Sequence, residues 1–232
     1  MDAEPAARWA TFDCYGTLID WETGLADALC DVWPAEAPAA LLDRFHRIEP
    51  EVERAQPGLP YRDVLAEVLR RLSAERNLPL TPDQERTLAA ALPSWPVFPE
   101  VPAALAELRA RGWRLGILSN TDPDLLAASI RTIGVPIDVS VTAAEARSYK
   151  PAPGHWRRFA ELSGSAPDRQ AHVAVSLFHD VVPAAELGIP AVWIDRPGEL
   201  GNRAGRERAG AAAAVLPDCS GLPDTLDRLL PA

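Results

Sequence analysis

An aspartate at the end of an apolar run is the first candidate for chemistry in this sequence. Asp13 follows Trp9-Ala10-Thr11-Phe12, which has the composition of a buried strand, and Gly16 soon afterwards permits a sharp turn. Open α/β sheets bind ligands at the carboxyl ends of their strands. With a reference pKa of about 3.9, Asp13 is ionised at neutral pH and can attack carbon without a separate base. A simple helix-capping role for Asp13 stays open at this point.

Two further segments supply groups that complement a carboxylate nucleophile. Lys150, the only lysine in the sequence, precedes Pro151 and is a compact cation that would keep Asp13 ionised and offset charge during reaction. Ser119 and Asn120 precede a predicted helix, whose free N–H groups and dipole favour an anion. They are therefore candidates for holding a substrate carboxylate, or alternatively the polar caps of a strand-to-helix turn.

The elements that must position these residues follow from hydrophobic spacing. From residue 97 onward, short apolar strands alternate with helical patterns. The predicted strands cover residues 113–119, 137–141, 172–176 and 191–194. This alternation predicts an α/β fold with a doubly wound, parallel, Rossmann-like sheet covered on both faces. Right-handed crossovers would then bring four polar residues to one edge of the sheet. These residues are Asp13, Ser119, Lys150 and Asp180.

Residues 19 to 96 contain helical patterns and no convincing strand, because their apolar residues recur at three- and four-residue spacings. The predicted helices cover residues 21–33, 41–52, 61–72 and 82–92. Pro93, Pro96 and Pro99 then mark a stiff crossing. We therefore predict a Rossmann-like catalytic core of residues 1–18 plus 97–232, and an inserted helical cap domain of residues 19–96.

The order of four segments resembles the haloacid dehalogenase superfamily over nearly the whole chain. The segments are Asp-x-Tyr-Gly-Thr-Leu starting at Asp13, Ser119-Asn120, Tyr149-Lys150-Pro151 and Asp180. Tyr15 makes the first segment most similar to the type II (S)-2-haloacid dehalogenases. The resemblance implies a HAD-like fold and hydrolytic removal of halide from a short 2-haloacid.

The resemblance also implies which residues take part in the reaction. Asp13 displaces halide from C2, and water hydrolyses the resulting ester to release the 2-hydroxy acid. Lys150 supports Asp13, and Asp180 orients either Lys150 or the water. The residues implied to bind substrate are Tyr15, Thr17, Arg44, Ser119 and Asn120. This reaction implies no metal and no other cofactor.

Tyr15 separates the two leading hypotheses. Phosphatases that are similar to this chain carry a second Asp at this position, because a departing alkoxide needs a proton, whereas halide leaves without one. A phenol stays neutral and can line an apolar pocket. The alternative function is a magnesium-dependent phosphatase of small phosphate monoesters that uses Asp13 and Asp180. A binding protein that has lost turnover is the third hypothesis.

The chain departs from the family pattern after the fourth predicted strand. Similar dehalogenases carry polar residues at the positions of Val175 and Leu177, where they help to place the lysine and the water. The second half-reaction is therefore open, with Ser176 and His179 as candidate substitutes.

An arginine of the cap is implied to bind halide. Aligning the Leu-x-Arg segment and the later Glu49 selects Arg44, with Arg47 as a rival on the same predicted helix.

Composition narrows the choice of partners and location. The net charge of −10 over 232 residues disfavours nucleic acid and leaves an anionic small-molecule substrate dependent on a few local cations. No stretch approaches the roughly 20 apolar residues of a membrane span, and the first residues lack the pattern of a signal peptide. Three scattered cysteines agree with a reducing compartment, so we predict a cytoplasmic protein without membrane partners. Similar proteins include homodimers.

Overall fold

A computed structural model of the protein describes residues 7–196 and 206–232, and its centre is a six-stranded sheet. The strands are β1 (Trp9–Phe12), β2 (Arg114–Ser119), β3 (Val139–Thr142), β4 (Gln170–Ala174), β5 (Ala191–Ile194) and β6 (Ala214–Leu216). All five neighbouring pairs are parallel, and the order is β3-β2-β1-β4-β5-β6. The order changes direction between β1 and β4, where a crevice opens at the carboxyl ends of the strands. The doubly wound parallel sheet is confirmed.

Within the described residues there are ten α-helices, of which the last six connect and cover these strands. They are α1 (Trp21–Val32), α2 (Pro38–Ala55), α3 (Tyr61–Arg76), α4 (Thr87–Ala91), α5 (Val101–Ala110), α6 (Pro123–Ile133), α7 (Ala143–Ala146), α8 (Gly154–Ser163), α9 (Val182–Glu186) and α10 (Leu222–Leu229). Helices α6 and α8 each end at a glycine with left-handed backbone, at φ values of 74° for Gly134 and 66° for Gly164. Such glycines close the last helical turn at little steric cost. None of the helices in the described ranges is long and apolar enough to cross a membrane.

Helices α1 to α4 form the cap, and the fourth of them differs from its prediction. Instead of one helix over 82–92, α4 has only five residues and is flanked by 3₁₀ turns at Gln84–Arg86 and Leu92–Ser94. Thr81 and Gln84 bond to each other's backbone N–H at 2.9 and 3.3 Å, which tightens the first turn. Pro93 lacks an N–H and ends the α-helical pattern at the other side.

The two chain crossings between cap and sheet lie side by side. Ile19 and Val97 form an antiparallel bridge. Asp20 N–H donates to Pro96 O at 2.7 Å, and Phe98 N–H donates to Leu18 O at 3.1 Å. We propose that the cap spans residues 19–96 between these crossings. Of the remaining residues assigned to the core, 1–6 and 197–205 lie outside the described part of the chain.

The apolar core runs without interruption from the sheet into the cap. Phe12 of β1 and Ile117 of β2 are fully buried, and the same cluster includes Leu25 of α1 and Leu65 of α3. Strands buried on both faces account for the nearly continuous apolar runs that the sequence shows. This shared packing fixes the cap above the carboxyl edge of the sheet.

Two elements of the structure had no counterpart among the predictions. Strand β6 lies in an alanine-rich run of low strand propensity, at the far side of the sheet. A π-helical turn, Leu177–Val181, follows β4 and leads into α9. It begins at Ser176, whose Oγ accepts the His179 N–H at 3.1 Å. Such turns are rare and occur often at functional sites. Here the turn carries Asp180, which is 1% exposed.

Candidate active site

Asp13 lies at the carboxyl end of β1, in the crevice beside β4. Its N–H donates to Val173 O at 3.1 Å, which continues the sheet by one residue. Gly16 then adopts a φ of 83°, in the left-handed region that glycine enters without strain. The resulting turn brings Thr17 back, and its Oγ1 donates to Asp13 Oδ2 at 3.0 Å. The hydroxyl of Thr17 in turn accepts the Val175 N–H at 3.0 Å.

Thr17 supports Asp13 from below the cavity. It is fully buried and is absent from the residues that line the cavity above Asp13. Its hydroxyl donates its single proton to Asp13 and accepts the backbone N–H of Val175. A substrate contact of Thr17 stays a prediction that this placement does not favour, since the turn directs its side chain inward.

Lys150 lies beside Asp13 and is 2% exposed. Its Nζ donates to Asp13 Oδ1 at 2.8 Å, to Asp180 Oδ1 at 2.6 Å and to Leu118 O at 2.8 Å. An ammonium has three protons, so this environment satisfies all of them. Burial by itself would lower the pKa of Lys150, but the two carboxylates raise it above its ordinary value. Lys150 is therefore a permanent cation at neutral pH.

The two carboxyl groups that share this ammonium differ in acidity. Burial raises the pKa of Asp13, and the opposing effect of Lys150 does not cancel the rise. Burial also acts on Asp180, but Lys150 and His172 together hold the pKa of that carboxyl below its ordinary range. Asp180 is thus the fixed counterion of the ammonium. Asp13 is the more basic of the two, and basicity favours nucleophilic attack.

His172 is a site residue that the sequence-based predictions missed. Its Nε2 donates to Asp180 Oδ1 at 3.0 Å, and its Nδ1 lies 2.9 Å from Thr11 Oγ1. The side chain is fully buried in β4. A polar ring in the middle of an otherwise apolar strand was the available signal, because a buried imidazole requires partners for its ring nitrogens. The contacts form a chain from Thr11 through His172 and Asp180 to Lys150.

Ser119 is the last residue of β2, and Asn120 follows it at the carboxyl edge of the sheet. The two side chains make different contacts. The Oγ of Ser119 is buried, lines the cavity and has no hydrogen-bond partner among the described residues. A ligand that accepts from this hydroxyl would remove the cost of leaving it unpaired. The Asn120 amide instead binds the backbone of Lys150 at both ends, with Oδ1 accepting its N–H at 2.7 Å and Nδ2 donating to its carbonyl at 3.2 Å. The side chain of Asn120 therefore positions Lys150. Asn120 also lines the cavity, and its role in binding substrate stays a prediction.

Tyr15 lines the cavity next to Asp13. Its hydroxyl lies 2.9 Å from Ser129 Oγ, and its ring meets Trp95 edge-on at 6.2 Å. Burial raises the pKa of Tyr15 well above its ordinary value, so the phenol is neutral. The predicted apolar lining role agrees with this placement.

The cavity has a volume of about 490 Å³ and lies between the sheet edge and the cap helix α2. The predicted halide ligand Arg44 is not part of its wall. The guanidinium of Arg44 donates to both oxygens of Glu75 on α3, at 2.5 and 2.7 Å, on the outside of the cap. Its rival Arg47 does line the cavity, where it donates to Asp43 at 2.6 Å. The docking of α2 on α3 turns Arg44 outward, so Arg47 is the better placed of the two candidates, and halide binding by either residue stays a prediction.

The residues after β4 supply the remaining wall. Val175 lines the cavity and Leu177 is fully buried, so neither offers a polar group to water. Ser176 and His179 also line the cavity, with the Ser176 Oγ 3.2 Å from His179 Nδ1. Burial lowers the pKa of His179 to about 4, so its imidazole is neutral at pH 7. The two predicted substitutes therefore lie where a water above Asp13 can reach them.

Comparisons with known proteins agree with this geometry. A model of haloacid dehalogenase-like hydrolases matches residues 7–175. The chain is 29% identical to the (S)-2-haloacid dehalogenase of Pseudomonas sp. (strain YL), over 84% of this chain and 85% of the relative. It is 35% identical to a phosphoserine phosphatase of Thermus thermophilus, but that match spans only 50% of this chain and 49% of the phosphatase. A crystal structure of an L-2-haloacid dehalogenase superposes with a TM-score of 0.83 at 26% identity, covering 96% of this chain and 99% of the other.

Proposed function

Since this chain belongs to the haloacid dehalogenase-like hydrolases, we propose that it hydrolyses the carbon–halide bond of a short (S)-2-haloalkanoic acid. The product is the corresponding 2-hydroxy acid, and the intermediate is an ester of Asp13. The (S)-2-haloacid dehalogenase matched over most of both chains supports this choice of substrate. The free hydroxyl of Ser119 is the proposed ligand of the substrate carboxylate.

In the first half-reaction, a carboxylate oxygen of Asp13 attacks C2 of the substrate. The new C–O bond forms as the carbon–halogen bond breaks, and the halide departs with the bonding electron pair. Thr17 and Lys150 hold the two oxygens of Asp13 at 3.0 and 2.8 Å and so restrict its orientation. This positioning converts a bimolecular displacement into a step between preoriented groups.

In the second half-reaction, water attacks the carboxyl carbon of the Asp13 ester. The bond between that carbon and the ester oxygen breaks, one proton of the water goes to the departing oxygen, which becomes the hydroxyl of the product, and the other goes to solvent. The aspartate is restored as a carboxylate with one oxygen from water. Lys150 is close enough to Asp13 to stabilise the negative charge that develops on the tetrahedral intermediate. Ser176 and His179 are the proposed contacts of the attacking water.

The main observation in support of the proposal is the side chain of Tyr15, two residues after Asp13. Tyr15 is neutral, packs on Trp95 and directs its hydroxyl at Ser129. A phosphatase needs an acid at this point to protonate its leaving alkoxide, whereas halide leaves unprotonated. The residue at this position therefore suits displacement of halide.

The direct test is halide release from (S)-2-chloropropionate and (S)-2-bromopropionate, with and without a metal chelator. We expect stoichiometric halide and hydroxy acid, at the same rate in both conditions. Release of a single equivalent of halide, with a lasting mass increase on the protein, would instead indicate a binding protein that cannot complete turnover. Release from neither acid would contradict the proposed reaction.

A magnesium-dependent phosphatase is the second candidate, favoured by the 35% identity over half of the chain. The residues present do not fit the metal. The ammonium of Lys150 lies between the carboxylates of Asp13 and Asp180, and Tyr15 and Val175 offer no carboxylate. Within residues 7–196 and 206–232, no group of three or more His, Cys, Asp or Glu side chains is arranged to hold an ion. Magnesium-dependent release of phosphate from small monoesters would reverse this preference.

Replacing His172 with leucine is expected to lower kcat roughly tenfold with little change in KM. The hydrogen bond to ionised Asp180 contributes about 1.5–3 kcal/mol, and its loss lets the carboxylate and the ammonium of Lys150 move. His172 is thus a positioning residue with no substrate contact. Steady-state halide release at several substrate concentrations separates the two constants.

The matched control is His172→Gln, since glutamine has nearly the volume of leucine and keeps an N–H donor. Partial recovery of kcat in this variant would identify the hydrogen bond as the cause. Equal loss in the two variants would instead indicate a packing defect.

We also propose that the protein works in the cytoplasm, which the three unpaired cysteines support. A homodimer stays a prediction, and sedimentation of the purified protein would test it.

A further inference from the structure

The wall of the cavity opposite Asp13 carries carboxyl groups, although the proposed substrate is an anion. Helix α2 contributes this wall, and residues at helical spacing turn toward the cavity. They include the arginines Arg47 and Arg54 and three carboxylic acids, of which Asp43 is paired with Arg47 and the other two are Glu49 and Glu53. Neither is needed to hold Asp13, Lys150 or Asp180, because those three groups satisfy one another.

Glu53 has no hydrogen-bond or ion-pair partner at bonding distance in the part of the chain that the structure describes, although the ammonium of Lys150 acts on it from farther away. It is only 7% exposed, which is unusual for a glutamate without a partner. It lines the cavity above Asp13 and also a second cavity of about 500 Å³, whose wall includes Tyr149 and Pro151. Its carboxyl group therefore lies where the two spaces meet and faces a ligand position.

Glu49 lies one turn earlier on the same helix and is held in place. Tyr61 of α3 donates its hydroxyl to Glu49 Oε1 at 2.5 Å. Two arginines of α2 also line this cavity, of which Arg47 is bound to Asp43 and Arg54 directly follows Glu53 in the chain. Burial raises the pKa of Glu53 well above its ordinary value and the neighbouring Glu49 raises it further, whereas Lys150 acts in the opposite direction without cancelling the rise. The protein therefore keeps two carboxyl groups at a position that disfavours their charge.

We propose that the substrate carries an ammonium group at the end remote from its halogen, and that Glu53, assisted by Glu49, binds this group. This inference rests on the proposed function, since the carboxylate and halogen end is assigned to Ser119 and Asp13. An ammonium ion would supply a counterion in direct contact and donate up to three hydrogen bonds. The cavity is also large enough for a substrate that extends beyond a three-carbon acid.

Binding of unreactive acids tests the ammonium site without relying on catalysis. Calorimetry would compare 4-aminobutanoate, 5-aminopentanoate and 6-aminohexanoate with pentanoate, hexanoate and heptanoate, which carry a methyl in place of the ammonium. We expect at least one ammonium acid to bind roughly 30-fold more tightly than its methyl counterpart. In Glu53→Gln this ratio should fall to near one, whereas Glu51→Gln, an exposed position on the same helix, should leave it unchanged.

Halide release from the (S)-2-bromo derivatives of the same acids then tests the combined proposal. If the ammonium preference appears in binding but no bromo acid releases halide, the proposed function fails and the ammonium site stands. If 2-bromopropionate reacts but the ammonium acids bind no better than their methyl counterparts, the ammonium site fails alone. Tighter binding of heptanedioate than of 6-aminohexanoate would also overturn it, in favour of protonated Glu53 donating to a second carboxylate.

Discussion

Replacing Asp13 with asparagine is expected to lower halide release by at least about 10⁴-fold while the protein stays folded. The amide keeps an oxygen near Lys150 Nζ, which lies 2.8 Å from Asp13 Oδ1, but it has no negative charge with which to attack carbon. The substitution also removes one of two buried carboxylates that share a single ammonium, so we expect no loss of stability. Halide release and urea unfolding of the purified variant measure both effects.

Asp83→Asn is the matched control, because the side chain of Asp83 is 93% exposed on the cap and pairs only with Arg86. Asp83→Asn removes the same charge from a position outside the cavity. The activity of this variant should equal that of the unchanged protein. Appreciable, lasting halide release by Asp13→Asn would place the nucleophile elsewhere. Intact mass after a short incubation with 2-bromopropionate should show an ester adduct on the unchanged protein and none on this variant.

Replacing Lys150 with methionine is expected to abolish turnover and also to destabilise the fold by about 3–5 kcal/mol at pH 7. Methionine fills a similar volume, but Asp13, Asp180 and the carbonyl of Leu118 all lose a hydrogen-bond donor. Two buried carboxylates without a cation cost far more than an exposed ion pair contributes. Urea unfolding curves at two pH values, together with halide release, would measure the change.

The stability difference between the unchanged protein and Lys150→Met should depend on pH, and the pKa shifts predict the direction of that dependence. In the unchanged protein the pKa of Asp180 is lowered, so its contribution to stability is present above the ordinary carboxyl pKa and is lost as acid protonates it. Without the ammonium, burial would raise the pKa of both carboxyls, and the variant would lose stability as pH rises through those raised values. The difference between the two proteins should therefore be larger at pH 7 than at pH 5.

Arg147→Met is the control for this substitution, because Arg147 is exposed in the same segment of the chain. Replacing the Arg147 side chain should change the free energy of unfolding by less than about 0.5 kcal/mol. If Lys150→Met unfolds at the same urea concentration as this control at both pH values, the buried ion cluster does not stabilise the fold.

The sheet edge was predictable because each of its residues follows a local signal. Asp13 ends an apolar run before a glycine with φ of 83°, and Lys150 is the single lysine in an arginine-rich chain. Parallel strands place their carboxyl ends together, so the order of the segments was enough to bring Asp13, Lys150 and Asp180 into contact. The sixth strand was missed, because three residues in an alanine-rich run carry little strand propensity.

The helices of the cap were predictable from the sequence, but the directions in which their side chains face were not. Arg44 and Arg47 lie three residues apart on α2, and the sequence pattern selects Arg44 with Arg47 as a rival. The packing of α2 against α3 pairs Arg44 with Glu75 and leaves Arg47 at the cavity. Helical periodicity specifies which residues share a face, and it carries no information about which neighbour that face will meet.

By itself, the sequence determined the parallel sheet, the helices between residues 19 and 96, and the placement of Asp13 beside Lys150 and Asp180. Local rules govern all of these, since strand composition, turn residues and crossover handedness act over a few residues or one βαβ unit. Only the tertiary structure decided that His172 binds Asp180, that Asn120 holds the backbone of Lys150, and that Glu53 faces the cavity without a partner. Those outcomes depend on the docking of segments far apart in the chain, where packing determines which polar groups meet and which are left for a ligand.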